Sequence, residues 1–302
     1  MADATSLTGH ITTATEINPA ISAYELYLND QGRSPYTVKA FLSDLNLMSK
    51  YFTGTKTIGE IKTEDLNQYF EWMQHERKVA CSPKTLARRI TTSKSFFRWL
   101  HKNAVILFDP AEKVIQRTVM SPIPEVLTDD EIQSVLLAAD RFRRNKKPDA
   151  RPYTLLFLLL TTGIKKSECL GIHLNHIDFT ADEGPTLYIR YNTPISRYKE
   201  RNLAISEDWI PPFEEYVANY KPTDALFPWS PRRLEYLLED IGKEAGLTKH
   251  LSFDMCRWTY ALTEFRRGED HDRIRQNLGV SKIQWREVNL KLRKLSGEEE
   301  PS

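Results

Sequence analysis

The stretch TTGIKKSECLGIHLNHIDF, residues 161–179, decides how the chain is interpreted. Residues 151–163, RPYTLLFLLLTTG, are apolar nearly all round, which is typical of a central buried helix. Gly163 at the end of this run predicts a C-terminal cap, because glycine adopts a left-handed conformation without steric cost. Ser167 and Glu168 then stand near the start of another helix, where a carboxylate is favourable. The stretch therefore predicts a helix, a short basic turn and a second helix.

Helical patterns precede this stretch from about residue 17, and each has a recognisable start. Ser34-Pro35 and Ser82-Pro83 combine a capping hydroxyl with a proline in the first turn. Thr63 is followed by two acidic residues in the favourable first-turn position. The prolines of RTVMSPIPEVLT, residues 117–128, then interrupt any regular helix. We therefore predict a four-helix unit, a connector and a second domain.

Residues 186–205, TLYIRYNTPISRYKERNLAI, differ from the helical remainder. Two segments rich in β-branched, aromatic and apolar residues flank a polar stretch that contains a proline. This pattern predicts a strand, a loop and a returning strand. Helical patterns resume after it and continue to about residue 292. The second domain is therefore expected to be mainly α with a small antiparallel β-sheet.

The composition is ordinary for a soluble chain, with 302 residues, 40% hydrophobic and 27% charged residues, and a formal net charge of +1. This length allows about two domains. The first residues, MADATSLTGHITTATEI, show no basic segment followed by an apolar core, so we expect no secretion signal, and no run reaches the roughly 18 apolar residues of a membrane span. Cys81, Cys169 and Cys256 match no metal-ligand or disulfide spacing. We expect a cytoplasmic protein, nucleoid-associated in a prokaryote, with no membrane contact, metal or cofactor.

Several dispersed elements resemble the tyrosine recombinases, the phage-integrase-like and Xer-like enzymes that cut and rejoin DNA. The opening stretch resembles the TGLRxSELxxLxxxDID segment of that family. GRSPYTVKAFLSDLNLM, TLARRITTSKSFFRWL and DPAEKV resemble its core-binding domain, whereas LTDDEIQSVLLAA and RYKERNLAIS resemble parts of its catalytic domain. The resemblance covers most of the chain, in the family's order.

The resemblance implies a two-domain, mainly α fold with a small antiparallel β-sheet. A helical SAM-like core-binding domain is expected to precede an α+β catalytic-type domain. The expected division is a flexible lead (1–16), the core-binding domain (17–117), a linker (118–126), the catalytic-type domain (127–292) and a tail (293–302).

In this family a tyrosine hydroxyl attacks a DNA phosphodiester, and the reaction needs arginine forks on the phosphate and a proton donor for the leaving oxygen. The resemblance assigns each role to a position here, and most positions hold a different residue type. Lys165 replaces the first arginine, Ser196 replaces the hairpin lysine, Asp254 replaces the histidine of HxxR, Arg257 is retained, Val280 replaces the histidine of LGH, and Asn289 replaces the tyrosine. The sequence contains no tyrosine after Tyr260. We therefore expect a pseudoenzyme that does not cut DNA.

Residues 78–102 carry seven Lys or Arg and no acidic residue. On a helix that begins after Ser82, the apolar side chains fall on one side, and the basic and hydroxyl side chains fall on another. Such a face suits a phosphate backbone. The apolar side is Leu86, Ile90, Phe97 and Leu100. The predicted DNA contacts of the whole chain are Lys84, Arg88, Arg89, Thr91, Ser95, Lys165, Arg197, Lys199, Arg201, Arg232, Arg233 and Arg257.

The favoured interpretation is a two-domain clamp on double-stranded DNA that acts as a site-recognition or architectural factor. Its expected partners are an active recombinase, transposition proteins, or further copies joined through the C-terminal helix, where Trp285 either anchors the helix in a neighbour or packs internally. One alternative is an active divergent recombinase that uses Tyr260 or a nucleophile from a partner. Another is a protein-interaction module that has lost DNA binding. Lys165, Asp254 and Arg257 are expected either to form an ion pair or to retain phosphate contact.

Overall fold

The computed structural model describes residues 10–53, 56–79, 81–116, 122–182 and 184–298, with all of their side chains except that of Ile195. The chain divides into two compact units, Met1–Ser121 and Pro122–Ser302. Parts of the predicted lead (1–9), linker (118–121) and tail (299–302), together with residue 117 at the end of the predicted core-binding domain, lie outside the described residues.

The described part of the first unit contains four α-helices: α1 (Ile17–Asp30), α2 (Pro35–Tyr51), α3 (Thr63–Glu71) and α4 (Pro83–Lys102). The hydroxyls of Ser34 and Ser82 each accept a hydrogen bond, at 3.2 Å, from the backbone N–H three residues later. These bonds cap α2 and α4 as the sequence predicts. Helix α2 packs against both α1 and α4.

The core of the first unit is rich in aromatic side chains. Tyr24, Tyr69, Phe96 and Phe97 are fully buried, together with aliphatic residues such as Leu45. On α4, Ile90, Phe97 and Leu100 are buried and Leu86 packs against the same core, as predicted. The hydrophobic stripe therefore fixes which side of α4 remains available to solvent.

The described second unit contains eight α-helices. They are α5 (Asp129–Arg143), α6 (Arg151–Thr162), α7 (Lys166–Leu170), α8 (Ile210–Tyr220), α9 (Pro231–Glu244), α10 (Phe253–Arg266), α11 (His271–Asn277) and α12 (Lys282–Ser296). Leu155, Leu156 and Leu159 of α6 are completely buried, and α6 packs against α5 and α10. Helix α6 is therefore the central buried helix that the sequence predicts.

A three-stranded antiparallel sheet joins β1 (Ile177–Asp178), β2 (Thr186–Ile189) and β3 (Arg201–Ala204) in that order. Leu187 of β2 faces Leu203 of β3, and both are buried. The predicted strand, loop and returning strand are confirmed. The two residues of β1 were not predicted, because so short a strand has no detectable periodicity.

The last three helices share an apolar cluster of their own, which includes Phe265, Ile274 and Leu292. Trp285 packs against this cluster within the same chain. Helix α12 ends at Ser296, so residues 293–296 of the predicted tail are helical. Among the described helices of both units, none combines the length and the apolar character that crossing a membrane requires.

Candidate nucleic-acid interface

The chain turns sharply between α6 and α7, and this turn positions Lys165. Gly163 has φ +61°, and a Cβ at this position would overlap the ring of Tyr260, so only glycine fits. Lys165 follows in an extended conformation before α7, and its backbone N–H donates to Oε2 of Glu168 at 2.9 Å. The predicted order of helix, basic turn and helix is present.

Glu168 is the buried centre of an ion-pair network. Its side chain is 0% exposed, and Arg201 donates to both carboxylate oxygens, at 3.1 Å and 2.9 Å. The Tyr191 hydroxyl also donates to Oε1. Burial alone would raise the pKa of Glu168, but Arg201 and these hydrogen bonds outweigh burial and lower the pKa to about 2. The carboxylate is therefore charged, and it ties α7 to β3.

Three cations converge on consecutive backbone carbonyls at the end of α11. Nε of Arg201 donates to the Asn277 oxygen at 2.7 Å, Nη2 of Arg257 to the Leu278 oxygen at 2.6 Å, and Nζ of Lys165 to the Gly279 oxygen at 3.4 Å. Nη1 of Arg257 also donates to the Gly163 carbonyl at 2.6 Å. Carbonyls at a helix C-terminus carry partial negative charge, so they offset part of the positive charge of this cluster.

Burial and mutual repulsion shift the pKa values of this cluster. Burial lowers the pKa of Lys165 to about 8, and the neighbouring guanidinium of Arg257 adds to this effect, while Glu168 opposes it. Burial lowers the pKa of Arg257 to about 10, again against the attraction of Glu168. Arg257 therefore stays protonated near neutral pH, whereas Lys165 begins to lose its proton in mildly alkaline solution.

A groove of about 670 Å³ brings together Lys165, Arg232, Asp254 and Arg257 from the predicted set. Asp254 is exposed on the first turn of α10. No ion pair joins Asp254 to Lys165 or Arg257 among the described side chains, so the expected three-residue ion pair is wrong. The carboxylate that stabilises these cations is Glu168, which the sequence placed only near a helix start.

The groove carries mixed charge. Glu235 accepts a hydrogen bond from Nζ of Lys166 at 2.6 Å, and Arg232 donates to the Tyr236 hydroxyl at 2.7 Å. Arg233 is exposed and does not line the groove. The residues that the structure describes contain no group of three His, Cys, Asp or Glu side chains arranged to hold a metal ion. The groove therefore offers cations that can bind an anion, in a partly acidic setting.

The predicted hairpin residues lie on a short 3-10 helix, Pro194–Lys199, between β2 and β3. Arg197 is exposed, whereas Ser196 and Lys199 are half-buried. Arg201 was predicted to contact phosphate, but its side chain is only 9% exposed and pairs with Glu168 instead. An arginine committed to a buried carboxylate has few donors left for DNA, so the geometry gives Arg201 a structural role.

The positions expected for the nucleophile and the second histidine hold no reactive group. Asn289 lies half-buried on α12, and its Oδ1 is buried without a hydrogen-bond partner among the described residues. Val280 packs beside the apolar cluster of the last three helices. Neither an amide nor an alkyl side chain can attack phosphorus or protonate a leaving oxygen.

Tyr260 is a buried packing residue. Its ring contacts Gly163, and its hydroxyl accepts a hydrogen bond from Nδ2 of Asn277 at 3.0 Å. Burial raises the pKa of this hydroxyl. Tyr260 lines a different cavity, of about 1130 Å³, from the groove that contains Lys165 and Arg257. This geometry is poor for attack on a phosphate held in the groove.

Helix α4 carries the predicted basic face of the first unit. Lys84 and Thr91 are exposed, and Arg98 and Lys102 extend the same side of the helix. Ser95, also predicted to contact DNA, hydrogen-bonds a buried tyrosine hydroxyl at 2.8 Å. The exposed cations can reach phosphate, whereas the Ser95 hydroxyl is already used within the protein.

Asp44 on α2 holds two of the predicted DNA-binding arginines. Nη1 of Arg88 lies 2.7 Å from Oδ2 of Asp44, and Nε of Arg89 donates to Oδ1 at 3.4 Å. Burial raises the pKa of Asp44, and Arg88 is the strongest influence in the opposite direction. Arg88 remains 43% exposed, but Arg89 is only 14% exposed. Arg89 therefore has a structural role. Arg88 pairs with Asp44 but also keeps exposed surface that can contact DNA.

Residues 21–103 match the phage integrase N-terminal SAM-like domain, and residues 125–286 match the phage integrase family. The chain is 25% identical over 287 residues to tyrosine recombinase XerC of Anoxybacillus flavithermus, covering 90% of this chain and 92% of that protein. It is 22% identical over 281 residues to tyrosine recombinase XerD of Listeria innocua, covering 88% and 91%.

Solved structures share the fold at low sequence identity. A lambda integrase dimer bound to a COC′ core site has a TM-score of 0.71 at 14% identity, covering 95% of this chain and 80% of that one. XerH recombinase in a pre-cleavage complex with its difH substrate has a TM-score of 0.69 at 16% identity, covering 94% and 84%. The mainly α fold with a small antiparallel sheet is thus confirmed.

Proposed function

Because the chain belongs to the phage integrase family of tyrosine recombinases, we propose that it binds double-stranded DNA without cutting it. The proposed role is that of a site-recognition or architectural factor in recombination, integration or transposition. An active recombinase or transposition proteins are its proposed partners, and the cytoplasm, or the nucleoid in a prokaryote, is its proposed location.

The observation that carries this proposal is the residue at the nucleophile position. Asn289 stands there, and the sequence contains no tyrosine beyond Tyr260. The family reaction requires a hydroxyl that becomes covalently joined to the phosphate. Tyr260 itself is buried, hydrogen-bonded to Asn277 and directed at a different cavity. No described tyrosine therefore combines the expected position with access to the groove.

The other substitutions also oppose transition-state stabilisation. Asp254 puts a negative charge where the family has a histidine, and Val280 has no proton to donate. Lys165 keeps a charge but loses the planar fork that binds a phosphate through two hydrogen bonds. Arg257 already uses both terminal nitrogens on backbone carbonyls. The remaining cations suit ground-state phosphate binding better than catalysis.

DNA binding is supported by exposed cations in each unit. Lys84, Arg98 and Lys102 lie on α4 of the first unit, and Arg197 lies on the β2–β3 turn of the second. Lambda integrase and XerH, which share the fold, have been solved with DNA, and lambda integrase also as a tetramer on a Holliday junction. Assembly of several copies on DNA is proposed on the same basis.

We expect no covalent protein–DNA adduct on incubation with cognate duplex. The duplex would first be selected by binding from random and genomic pools near physiological salt, and complexes would then be separated on a denaturing gel. XerC of Anoxybacillus flavithermus with its own target provides a positive control. Enrichment of a DNA motif without a covalent band supports the proposal. A covalent band that disappears in Tyr260→Phe would instead identify an active divergent recombinase.

Absence of any DNA binding would favour the remaining alternative, a protein-interaction module that has kept the fold. Near-neutral net charge and Asp254 are compatible with that outcome. The acid-free stretch 78–102 argues against it, since Lys84, Arg98 and Lys102 are exposed there and make no ion pair with any described residue.

We also expect DNA affinity to fall as the pH rises through about 8. The pKa of Lys165 is about 8, because burial together with Arg257, Arg201 and Lys199 outweighs Glu168. The charged form contacts phosphate, so loss of its proton weakens binding. Lys165→Arg should remove this pH dependence, since a guanidinium stays protonated. Fluorescence anisotropy at constant ionic strength measures the DNA affinity of the wild type and of Lys165→Arg across this pH range, with Lys84→Arg as the control. An unchanged pH profile in Lys165→Arg would exclude Lys165 from the interface.

A further inference from the structure

The turn between β2 and β3 exposes a single aromatic ring among cations. Tyr198 is 71% exposed, compared with 40% for Phe179 and for Tyr236, the other exposed aromatic residues of the described second unit. Arg197 and Lys199 flank it, and Nζ of Lys199 lies 5.2 Å from the ring centroid. The ring of Tyr198 therefore lies mostly in solvent with one ammonium beside it, rather than among the buried residues that the structure describes.

Both ends of this turn are held by hydrogen bonds. The carboxylate of Glu200 accepts the backbone N–H of Tyr191 at 3.0 Å, and the Lys199 carbonyl accepts from Arg201 at 3.2 Å. The 3-10 helix itself closes with a backbone bond from Glu200 to Arg197 at 2.9 Å. These bonds restrict the backbone of the turn, which reduces the conformational entropy that the backbone loses when Tyr198 makes a contact.

The charge of the turn favours a nucleic acid. Its one acidic residue, Glu200, is engaged with backbone, whereas Arg197 is exposed to solvent. Lys199 lies close enough to Lys165 to lower its pKa, which puts the turn beside the cation cluster of the groove. A cationic surface interleaved with an aromatic ring is the combination that binds unpaired bases, because the cations take the phosphates and the ring takes the base.

We propose that Tyr198 is a stacking platform for an unpaired base, so that the protein prefers DNA with locally opened base pairs over regular duplex. This inference rests on the proposed DNA binding. A base inside an intact duplex is already stacked on both faces, so a free base is the partner that a protruding ring fits best.

The test compares one duplex with the same duplex carrying a central mismatched bubble, both labelled for fluorescence anisotropy near physiological salt. The wild-type chain should bind the bubble more tightly. Tyr198→Ala should reduce that preference by about tenfold, within the range known for base–aromatic stacking. Tyr198→Phe should retain it, because the ring and not the hydroxyl is required. A 2-aminopurine in the bubble should be quenched by the wild type and not by Tyr198→Ala.

Tyr36 offers a control, since it is 87% exposed in the first unit and, unlike Tyr198, has an uncharged residue on each side in the sequence, with Lys39 one helical turn away. Tyr36→Ala should leave the preference unchanged, and Lys199→Ala should weaken binding to both DNAs. Binding to neither DNA would overturn the proposed function itself. Equal binding to both, or a preference that survives Tyr198→Ala, would overturn the stacking proposal while leaving DNA binding intact.

Discussion

Replacing Glu168 with alanine is expected to destabilise the second unit by about 3–5 kcal/mol, the typical cost of removing one partner from a buried ion pair. The Glu168 side chain is 0% exposed and Arg201 donates to both of its oxygens. Without it, Arg201 keeps a buried charge beside Lys165 and Arg257, and the Tyr191 hydroxyl loses its acceptor. Urea unfolding of the full chain, with hydrogen exchange at β3 and α11, measures the loss and locates it.

Glu244→Ala provides the matched control, because Glu244 pairs with Arg141 at 3.1 Å on the surface. Exposed pairs contribute at most about 1 kcal/mol, so this variant should resemble the wild type. If Glu168→Ala were no less stable than Glu244→Ala, the ion-pair network would not hold the hairpin to α7.

The same carboxylate predicts how stability depends on pH. The pKa of Glu168 in the folded protein is about 2, below its ordinary value of 4.5. Because this pKa is lowered on folding, the charged carboxylate contributes its full stabilisation when the pH is above 4.5. This contribution is lost as the pH falls from 4.5 towards 2. Glu168→Gln should therefore lose part of the acid dependence of unfolding. An unchanged acid dependence would mean that other carboxylates dominate it.

Local sequence signals predicted the fold well because they act through neighbours in the chain. The hydroxyl–proline pairs at Ser34 and Ser82 cap helices, and Gly163 adopts the left-handed conformation that ends α6. The apolar run of α6 is buried because its hydrophobic surface is nearly continuous. These features depend only on residues that are close together in the sequence.

The site was predicted less completely because its partners are distant in sequence. Glu168 reads as a helix-start carboxylate, but its main partner, Arg201, lies 33 residues away. Arg257 was identified by resemblance, yet its bonds to the carbonyls of Gly163 and Leu278 depend on how α6 and α11 meet α10. The sequence shows which residue stands at a position. Tertiary packing decides which acceptors the donors of that residue bind.

The basic stripe of α4 shows the same limit. The sequence predicts that Arg88 and Arg89 contact DNA, but in the structure both pair with Asp44. A signal existed, because Asp44 lies at helical spacing from Met48 on the buried side of α2, where a lone carboxylate requires a cationic partner. Charge counting along one segment cannot assign that partner.

Reversing the charge of Lys84 and Arg98 is expected to cause the largest loss of DNA affinity without unfolding the protein. Both side chains are exposed on one side of α4, and neither is ion-paired within the described chain. Each cation that neutralises a phosphate contributes about 0.9 to the slope of log affinity against log salt. Lys84→Glu with Arg98→Glu should therefore lower affinity for all sequences alike and reduce this slope by about two units.

Arg89→Glu is the contrasting variant, because Arg89 pairs with buried Asp44 rather than facing solvent. It should lower the unfolding temperature of the first unit, whereas the double variant should melt like the wild type. Titration of duplex at several salt concentrations, paired with thermal unfolding by circular dichroism, separates the two effects. If the double variant kept the wild-type salt slope, α4 would not contact phosphates, and the cations of the second unit would have to account for DNA binding.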